Sequence, residues 1–152
     1  MICKFLKIII GDKEIFIDRK DLKGLDLSNL RITSNGYAAI GKKYLHRVVM
    51  SPPQNMQVDH ANKNTLDNRR FNLRICSVSQ NQMNRGKPRS NTTGRKGVSK
   101  DKRRQRKSYR ARITANKKTF NLGYFEELDE AGVAYEKAAK RHHGKFARTN
   151  DA

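Results

Sequence analysis

The chain is poor in the residues that cross-link small proteins or form metal-binding knuckles. Its 152 residues include only two cysteines, Cys3 and Cys76, with three prolines and 7% aromatic residues. Two cysteines make neither a disulfide framework nor a Cys-x-x-Cys zinc knuckle, and the four histidines add no zinc set at recognisable spacing. Both thiols are therefore expected to be free, in a reducing compartment.

Long apolar runs are also missing. The apolar run near the start of the chain covers only residues 8–10, which is far too short for a signal-peptide core or a membrane span. No membrane partner is expected. Without a targeting signal the expected compartment is the cytoplasm, of a bacterium or of a phage-infected cell.

Acidic residues are scarce, because 14 Asp and Glu stand against 34 Lys and Arg, for a formal net charge of +20. The excess is uneven: residues 1–40 carry +2, residues 41–90 carry +8 and residues 91–152 carry +10. A basic surface concentrated in part of a chain is typical of proteins that track phosphates. A solvated lysine-rich shell fits poorly, because between residues 95 and 118 twelve Lys and Arg meet only Asp101.

A short polar region holds the residues with catalytic potential. An acidic residue beside a histidine, Asp59-His60, is followed by Asn72 and Asn81. Carboxylate and amide oxygens suit a hard cation such as Mg²⁺ (or Mn²⁺), which neutralises phosphoryl oxygens and helps a 3′ oxygen to leave. On a strand His60 points away from Asp59, so it is predicted as a general base acting on water. Asn72 could fix the tautomer of His60 by a hydrogen bond to the ring.

The hydrophobic pattern around these residues predicts strand, loop, strand and helix, preceded by a strand-rich segment. Residues 1–40 are expected to pack as strands and turns against a catalytic core at residues 41–85. Ser77 has capping-box spacing and predicts the start of a helix. The expected elements are a hairpin turning at residues 11–13, a strand at 37–40, a short helix at 44–50, strands at 57–60 and 73–76, and a helix from Ser77 to about Arg85.

A second module is predicted beyond a basic linker at residues 86–94, where polar and chain-breaking residues dominate. In the middle strand, at residues 109–114, Arg110 and Arg112 alternate with apolar residues, so one set faces a core and the other faces outward. A helix at residues 128–143 should end at Gly144. With outer strands expected at residues 97–100 and 118–122, residues 95–148 are predicted to form a three-stranded antiparallel sheet with this helix on one face and basic residues on the other. The helix stripe expected to face the sheet is Ala131, Tyr135, Ala138 and His142.

The motifs of the first module resemble those of HNH endonucleases, most closely the phage and intron-encoded homing type. They run from Leu45-His46-Arg47 through Val58-Asp59-His60, Leu66-Asp67-Asn68-Arg69-Arg70 and Asn72-Leu73-Arg74 to Ser79-Gln80-Asn81. The resemblance implies a ββα-metal site with His60 as general base, Asn72 at the middle position, and Asp59 and Asn81 as metal ligands. The zinc-binding cysteine pairs of some members are absent, so the core and the N-terminal strands must hold the fold.

The second module resembles the ethylene-response-factor (apetala-type) DNA-binding domain, which is also found fused to HNH nucleases. The similar stretches are Arg95-Lys96-Gly97-Val98-Ser99, Tyr109-Arg110-Ala111-Arg112-Ile113, Leu122-Gly123-Tyr124-Phe125 and the helix at residues 131–139. That family reads the major groove with its sheet. Several arginines and tryptophans of the plant domains are missing, so their target sequence does not transfer. The resemblance implies DNA contacts by Lys96, Arg110, Arg112, Thr114, Thr119 and Asn121.

Further DNA-contact candidates lie in the first module, and each has a plainer alternative. His46 either contacts phosphate or packs beside the site. The arginines near the catalytic residues either bind phosphate or line a solvated loop, and their position beside the site favours phosphate. These candidates are His46, Arg47, Arg69, Arg70 and Arg74.

Fold and function follow from the two modules. We expect an α+β protein in which a ββα-metal (HNH) nuclease module precedes a three-stranded antiparallel sheet packed on one helix. Its expected activity is metal-dependent cleavage of double-stranded DNA, of the homing type, by a chain for which a monomer is favoured. The alternative is a sequence-specific DNA-binding regulator with an inactive nuclease half. An RNA-binding or packaging protein is disfavoured, because single-strand binders use aromatic stacking platforms, which are few here.

Overall fold

The structure is a computed structural model that describes residues 4–103, 106 and 108–148. Within these residues ten strands form four small antiparallel sheets, accompanied by three α-helices, so the predicted α+β class is confirmed. Chain contacts divide the protein into two compact units, Met1–Val78 and Ser79–Ala152. In the described part of the chain no helix is long and apolar enough to cross a membrane. Cys3, expected as a free thiol, lies outside the described residues.

The first unit is built from short strands and one short helix. Strand pairs β1–β2 and β6–β7 form hairpins, and β3, β4 and β5 form a three-stranded sheet in that order. The predicted turn at residues 11–13 is confirmed, and Gly11 supplies its left-handed backbone at φ 61°. The elements are β1 (Phe5–Ile10), β2 (Lys13–Asp18), β3 (Leu30–Ile32), β4 (Ala38–Ile40), β5 (Lys43–Tyr44), α1 (Leu45–Met50), β6 (Gln57–His60) and β7 (Leu73–Cys76).

One hydrophobic core serves the whole first unit. Ile15 and Ile17 alternate along β2 and are fully buried against Leu45, Val58 and Leu73. Burial of each such aliphatic side chain contributes roughly 1.5–3 kcal/mol. The N-terminal strands therefore share a core with the helix and hairpin of residues 41–78, in a unit whose buried cysteine, Cys76, is free.

The outer edge of β2 also binds the loop between β6 and β7. The backbone N–H of Phe16 donates to the carbonyl of Leu66 at 2.9 Å, and its carbonyl accepts from the N–H of Asn68 at 2.7 Å. This short parallel bridge satisfies polar groups of an edge strand and holds the loop in place.

In the second unit a three-stranded sheet packs on one long helix, as predicted. The strand order is β10, β9, β8, and all pairs are antiparallel. Ala111 and Ile113 on the middle strand meet Ala131, Tyr135 and other residues of the helix. Small alanines let the helix lie close to the sheet. The elements are α2 (Val78–Met83), which crosses the division between the units, β8 (Val98–Lys100), β9 (Tyr109–Ala115), β10 (Lys118–Phe125) and α3 (Leu128–His143).

Two details of the second unit differ from the prediction. The buried histidine of α3 is His143, not His142; its Nε2 lies 3.1 Å from the carbonyl oxygen of Thr114. His142 instead stacks on Phe120, with ring centroids 4.7 Å apart. Strand β10 also runs beyond residue 122, because a bulge at residues 121–123 lets pairing with β9 continue.

Part of the predicted linker is tied into the second unit. The Asn91 side chain donates to the carbonyls of Arg95 and Val98, at 2.8 and 3.2 Å. The Thr93 hydroxyl donates to the Val98 carbonyl at 3.0 Å. These bonds satisfy loop carbonyls next to β8, so residues 91–93 are structured rather than free chain.

Candidate active site

The β6–β7 hairpin sets the two predicted catalytic neighbours in fixed positions. Its register pairs Asp59 with Arg74 and His60 with Leu73. Asp59 is 4% exposed and His60 is 5% exposed. Because side chains alternate along a strand, the two residues meet different neighbours: Asp59 faces Arg74, and His60 faces an aromatic cluster.

The imidazole of His60 lies in a largely aromatic setting. The ring of His46 meets it edge-on with centroids 5.1 Å apart, and the ring of Tyr37 lies 5.9 Å away. Burial lowers the pKa of His60 and outweighs the opposite effects of Asn68, Asp59 and Asp67. A neutral imidazole is the form that can accept a proton.

His46, one of the predicted DNA contacts, is instead a buried packing residue. It is 7% exposed and stacks on Tyr44 at 5.4 Å with rings 9° from parallel. Its Nδ1 is buried and makes no hydrogen bond within the described residues. Burial, and the neighbouring charges of His60 and Arg47, lower the pKa of His46 to about 4. A neutral, enclosed ring is suited to supporting His60 rather than to binding phosphate.

Asn72 holds the loop that follows His60. Its Oδ1 accepts from the backbone N–H of Asn62 at 2.9 Å, and its Nδ2 donates to the carbonyl of Asp67 at 2.8 Å. Both polar groups of this 2%-exposed side chain are thus bonded to the loop. The expected direct hydrogen bond to the His60 ring is therefore wrong, because the Asn72 amide bonds to the backbone of Asn62 and Asp67 instead.

Arg69, another predicted DNA contact, is bound inside the fold. Its Nε and Nη2 donate to the two carboxylate oxygens of Asp67, both at 2.7 Å. The rings of Phe5, Phe16 and Phe71 surround its guanidinium at 4.6–5.1 Å. Burial opposes ionisation of Asp67, but the hydrogen bonds and charge of Arg69 outweigh it and hold the pKa of Asp67 below its usual value.

Two further predicted DNA contacts, Arg70 and Arg47, also make internal contacts. Arg70 bonds to Asp21 through Nε at 2.9 Å and to the Val49 carbonyl through Nη2 at 2.8 Å. Arg47 is exposed and donates to the Met56 carbonyl at 3.1 Å. Both residues are exposed, and phosphate contacts by them stay predictions.

Asp59 is the natural oxygen ligand for a divalent cation, and its carboxylate chemistry fits one. Its Oδ2 accepts from Nε of Arg74 at 3.1 Å and also contacts Nη2 of that residue. Its Oδ1 lies 3.8 Å from Nζ of Lys63. The described residues contain no group of three or more His, Cys, Asp and Glu able to hold a metal, so any site here relies on amide or substrate oxygens. Asn81, the second predicted ligand, is half-buried on α2.

The outer face of the second unit's sheet gathers five of its six predicted DNA contacts. The register pairs Asn121 with Arg112 and Thr119 with Thr114, whose hydroxyls lie 2.9 Å apart. Arg110 donates to Asn121 at 3.4 Å on the same face. The sixth, Lys96, precedes β8 and donates to the Met83 carbonyl at 2.7 Å. Contact of these residues with DNA stays a prediction.

Two residues beside His60 were not singled out from the sequence. Asn68 is fully buried, and its side chain acts to raise the pKa of His60. Its place in the Asp67-Asn68-Arg69 run is the sequence feature that could have identified it. Tyr37 follows a turn at Asn35-Gly36 and gave no sign of proximity to a residue 23 positions later. Only the packing of β4 and of β6 against α1 brings it there.

Comparison with known proteins identifies a matching family and two similar sequences. Residues 43–83 match the sequence profile of a family described as HNH endonuclease. Protein 3.8 of Escherichia phage T7 is 33% identical over 96 residues, which cover 63% of this chain and 77% of that protein. An uncharacterized HNH endonuclease of Acanthamoeba polyphaga mimivirus is 29% identical over 117 residues, which cover 73% of this chain and 59% of that protein. No solved structure matches the chain.

Proposed function

Because the chain belongs to the HNH endonuclease family, we propose that this nuclease hydrolyses phosphodiester bonds of double-stranded DNA. The observation that carries the proposal is the β6–β7 hairpin, in which the adjacent residues Asp59 and His60 are themselves buried, Asp59 opposite Arg74 and His60 against the ring of His46. Their loop is fixed by Asn72. A net charge of +20 suits a polyanionic substrate.

His60 is proposed as the general base. Its ring nitrogen takes a proton from the attacking water, while His46 and Tyr37 support the ring through contacts at 5.1 and 5.9 Å. Asn72 acts through the loop backbone rather than on the substrate. Preorganisation of this kind limits the reorganisation that the reaction requires.

A divalent cation, Mg²⁺ or Mn²⁺, is proposed as the cofactor. Asp59 would hold it, with Asn81 as the second protein ligand inferred from the motif, and it would supply charge neutralisation at the phosphate and help to the leaving 3′ oxygen. The carboxylate of Asp59, on the next-to-last residue of β6, offers the oxygen ligands that such a cation prefers.

The second unit is proposed to locate the target, with its sheet in the major groove as in the apetala-type domain. The support is the shared outward face of Arg112, Thr114, Thr119 and Asn121, all exposed. We further infer a homing-type role, in the cytoplasm of a bacterium or of a phage-infected cell, with the similarity to a phage T7 protein as support.

Incubation of duplex DNA with the full chain and Mg²⁺ tests the proposal. Wild type should cut, and His60→Ala should lose activity by about 10²-fold or more, the usual contribution of a general base, while binding DNA equally well. Arg112→Ala serves as the matched control, since it should weaken target preference and leave cleavage of bound DNA intact. Binding without cleavage by wild type would favour the regulator with an inactive nuclease half.

A further inference from the structure

The carboxylate proposed to hold the metal already has positively charged partners. Arg74 contacts Oδ2 of Asp59 through Nε at 3.1 Å and through Nη2. Lys63 places its Nζ 3.8 Å from Oδ1. The Asp59 side chain is only 3% exposed, whereas that of Arg74 is 20% exposed and reaches solvent.

A divalent cation at Asp59 must therefore compete with these two charges. Like charges at such distances repel, and burial leaves little water to screen them. One carboxylate and a neutral amide cannot offset a divalent cation together with a guanidinium and an ammonium group. A phosphate of bound DNA can supply the missing negative charge, as substrate phosphates often do for Mg²⁺.

We propose that Arg74 is a positioning residue that couples metal binding to DNA binding. It pairs with Asp59 in the free protein and moves to a backbone phosphate when a cation and DNA bind together. The inference rests on the proposed nuclease function and on Asp59 as ligand. Arginine suits both partners, because its planar fork matches carboxylate and phosphate alike.

Two features of the hairpin make the exchange possible. Arg74 is directly opposite Asp59 in the β6–β7 register, so both side chains leave the sheet on one face. The long arginine side chain is partly exposed, so its guanidinium can turn toward solvent while the strand stays in place. Thermodynamic linkage then requires that DNA strengthen metal binding by the same factor as metal strengthens DNA binding.

The test uses Mn²⁺, whose free concentration is followed by electron paramagnetic resonance. The full chain carries His60→Ala so that DNA stays intact, and is titrated with and without a short mixed-sequence duplex. The same titrations with Asp59→Asn added identify ions bound elsewhere, including on the DNA. DNA should tighten Asp59-dependent Mn²⁺ binding about tenfold, a typical coupling. Arg74→Leu should bind Mn²⁺ about tenfold more tightly without DNA and gain less from DNA than the parent does.

Arg31→Leu is the matched control. It removes the same charge from the same unit, at a guanidinium that contacts the Gly41 carbonyl at 3.0 Å, and should behave like the parent. Arg74→Gln, which keeps a polar side chain, repeats the test if the leucine variant does not fold. If Asp59-dependent Mn²⁺ binding is the same in the parent and in Arg74→Leu, with and without DNA, this inference alone is overturned. Absence of any Asp59-dependent binding overturns the metal site and the inference together.

Discussion

At the scale of single residues, Asn72 binds the loop between β6 and β7 at two points. Its amide satisfies the N–H of Asn62 and the carbonyl of Asp67. Asn72→Ala leaves both groups without their partner, and each such loss costs about 1–3 kcal/mol. We expect the free energy of unfolding, measured by urea denaturation, to fall by about 3 kcal/mol, and cleavage to fall with it.

The control for Asn72 is an asparagine without buried contacts. Asn29 is exposed, and its side chain makes only surface contacts, to Asp26 and, at 3.4 Å, to the Ser28 hydroxyl. Asn29→Ala should change stability by no more than about 0.5 kcal/mol. Equal effects of the two substitutions would show that the loop does not depend on the Asn72 amide.

His46 gives the first unit a defined response to acid. Its pKa falls from 6.5 to about 4 on folding, so the unfolded chain binds more protons within this window. The stabilisation is complete above pH 6.5 and is lost as the pH falls toward 4, by about 3 kcal/mol in total. His46→Phe keeps an aromatic ring without a titrating group, and its stability should change less between pH 7 and 4.5. Parallel pH profiles for the variant and wild type, from urea denaturation, would contradict this.

At the scale of elements, the contact between α3 and the sheet depends on one glycine. A Cβ on Gly97 would lie 2.0 Å from Cδ2 of Tyr135 and 2.8 Å from the Arg112 carbonyl oxygen. Gly97→Ala must displace the Tyr135 ring of α3 or the backbone of β9 at Arg112. We expect the free energy of unfolding to fall by about 3 kcal/mol or more. Thermal unfolding followed by circular dichroism measures it.

Gly94 is the control that separates the effect of this steric overlap from the effect of backbone strain. Its φ of 76° is close to the 72° of Gly97, yet a Cβ there meets nothing within 4 Å. Gly94→Ala should therefore cost only the left-handed conformation, about 1–2 kcal/mol. If both variants lost the same stability, the close approach of Tyr135 would have no energetic role.

Element boundaries were largely predictable from hydrophobic pattern and turn residues. The strands of the catalytic hairpin and the helix of the second unit occur where the pattern placed them. Burial of His143 in place of His142 was not predictable in this way, because both fit a stripe of period 3.6. The contact with the Thr114 carbonyl decides between them.

At the scale of the whole molecule, charge dominates the expected behaviour. The chain carries +20, and each phosphate contact releases bound counterions. DNA affinity, measured by fluorescence anisotropy, should fall about 10³-fold or more between about 50 and 200 mM salt if roughly six or more phosphates are contacted. A flat salt profile would mean that the basic residues do not bind the DNA backbone.

The type of chemistry and the class of substrate could be predicted from the sequence alone. A carboxylate beside a histidine, two asparagines downstream and a strongly basic chain point to phosphodiester hydrolysis, since these groups suit a hard cation and a polyanion. What each polar group bonds to depended on folding. Strand register sets Arg74 against Asp59, and core packing encloses His46 beside His60. In the same way, loop geometry directs Asn72 to the backbone. Such choices arise from contacts between residues far apart in the chain, which local pattern cannot encode.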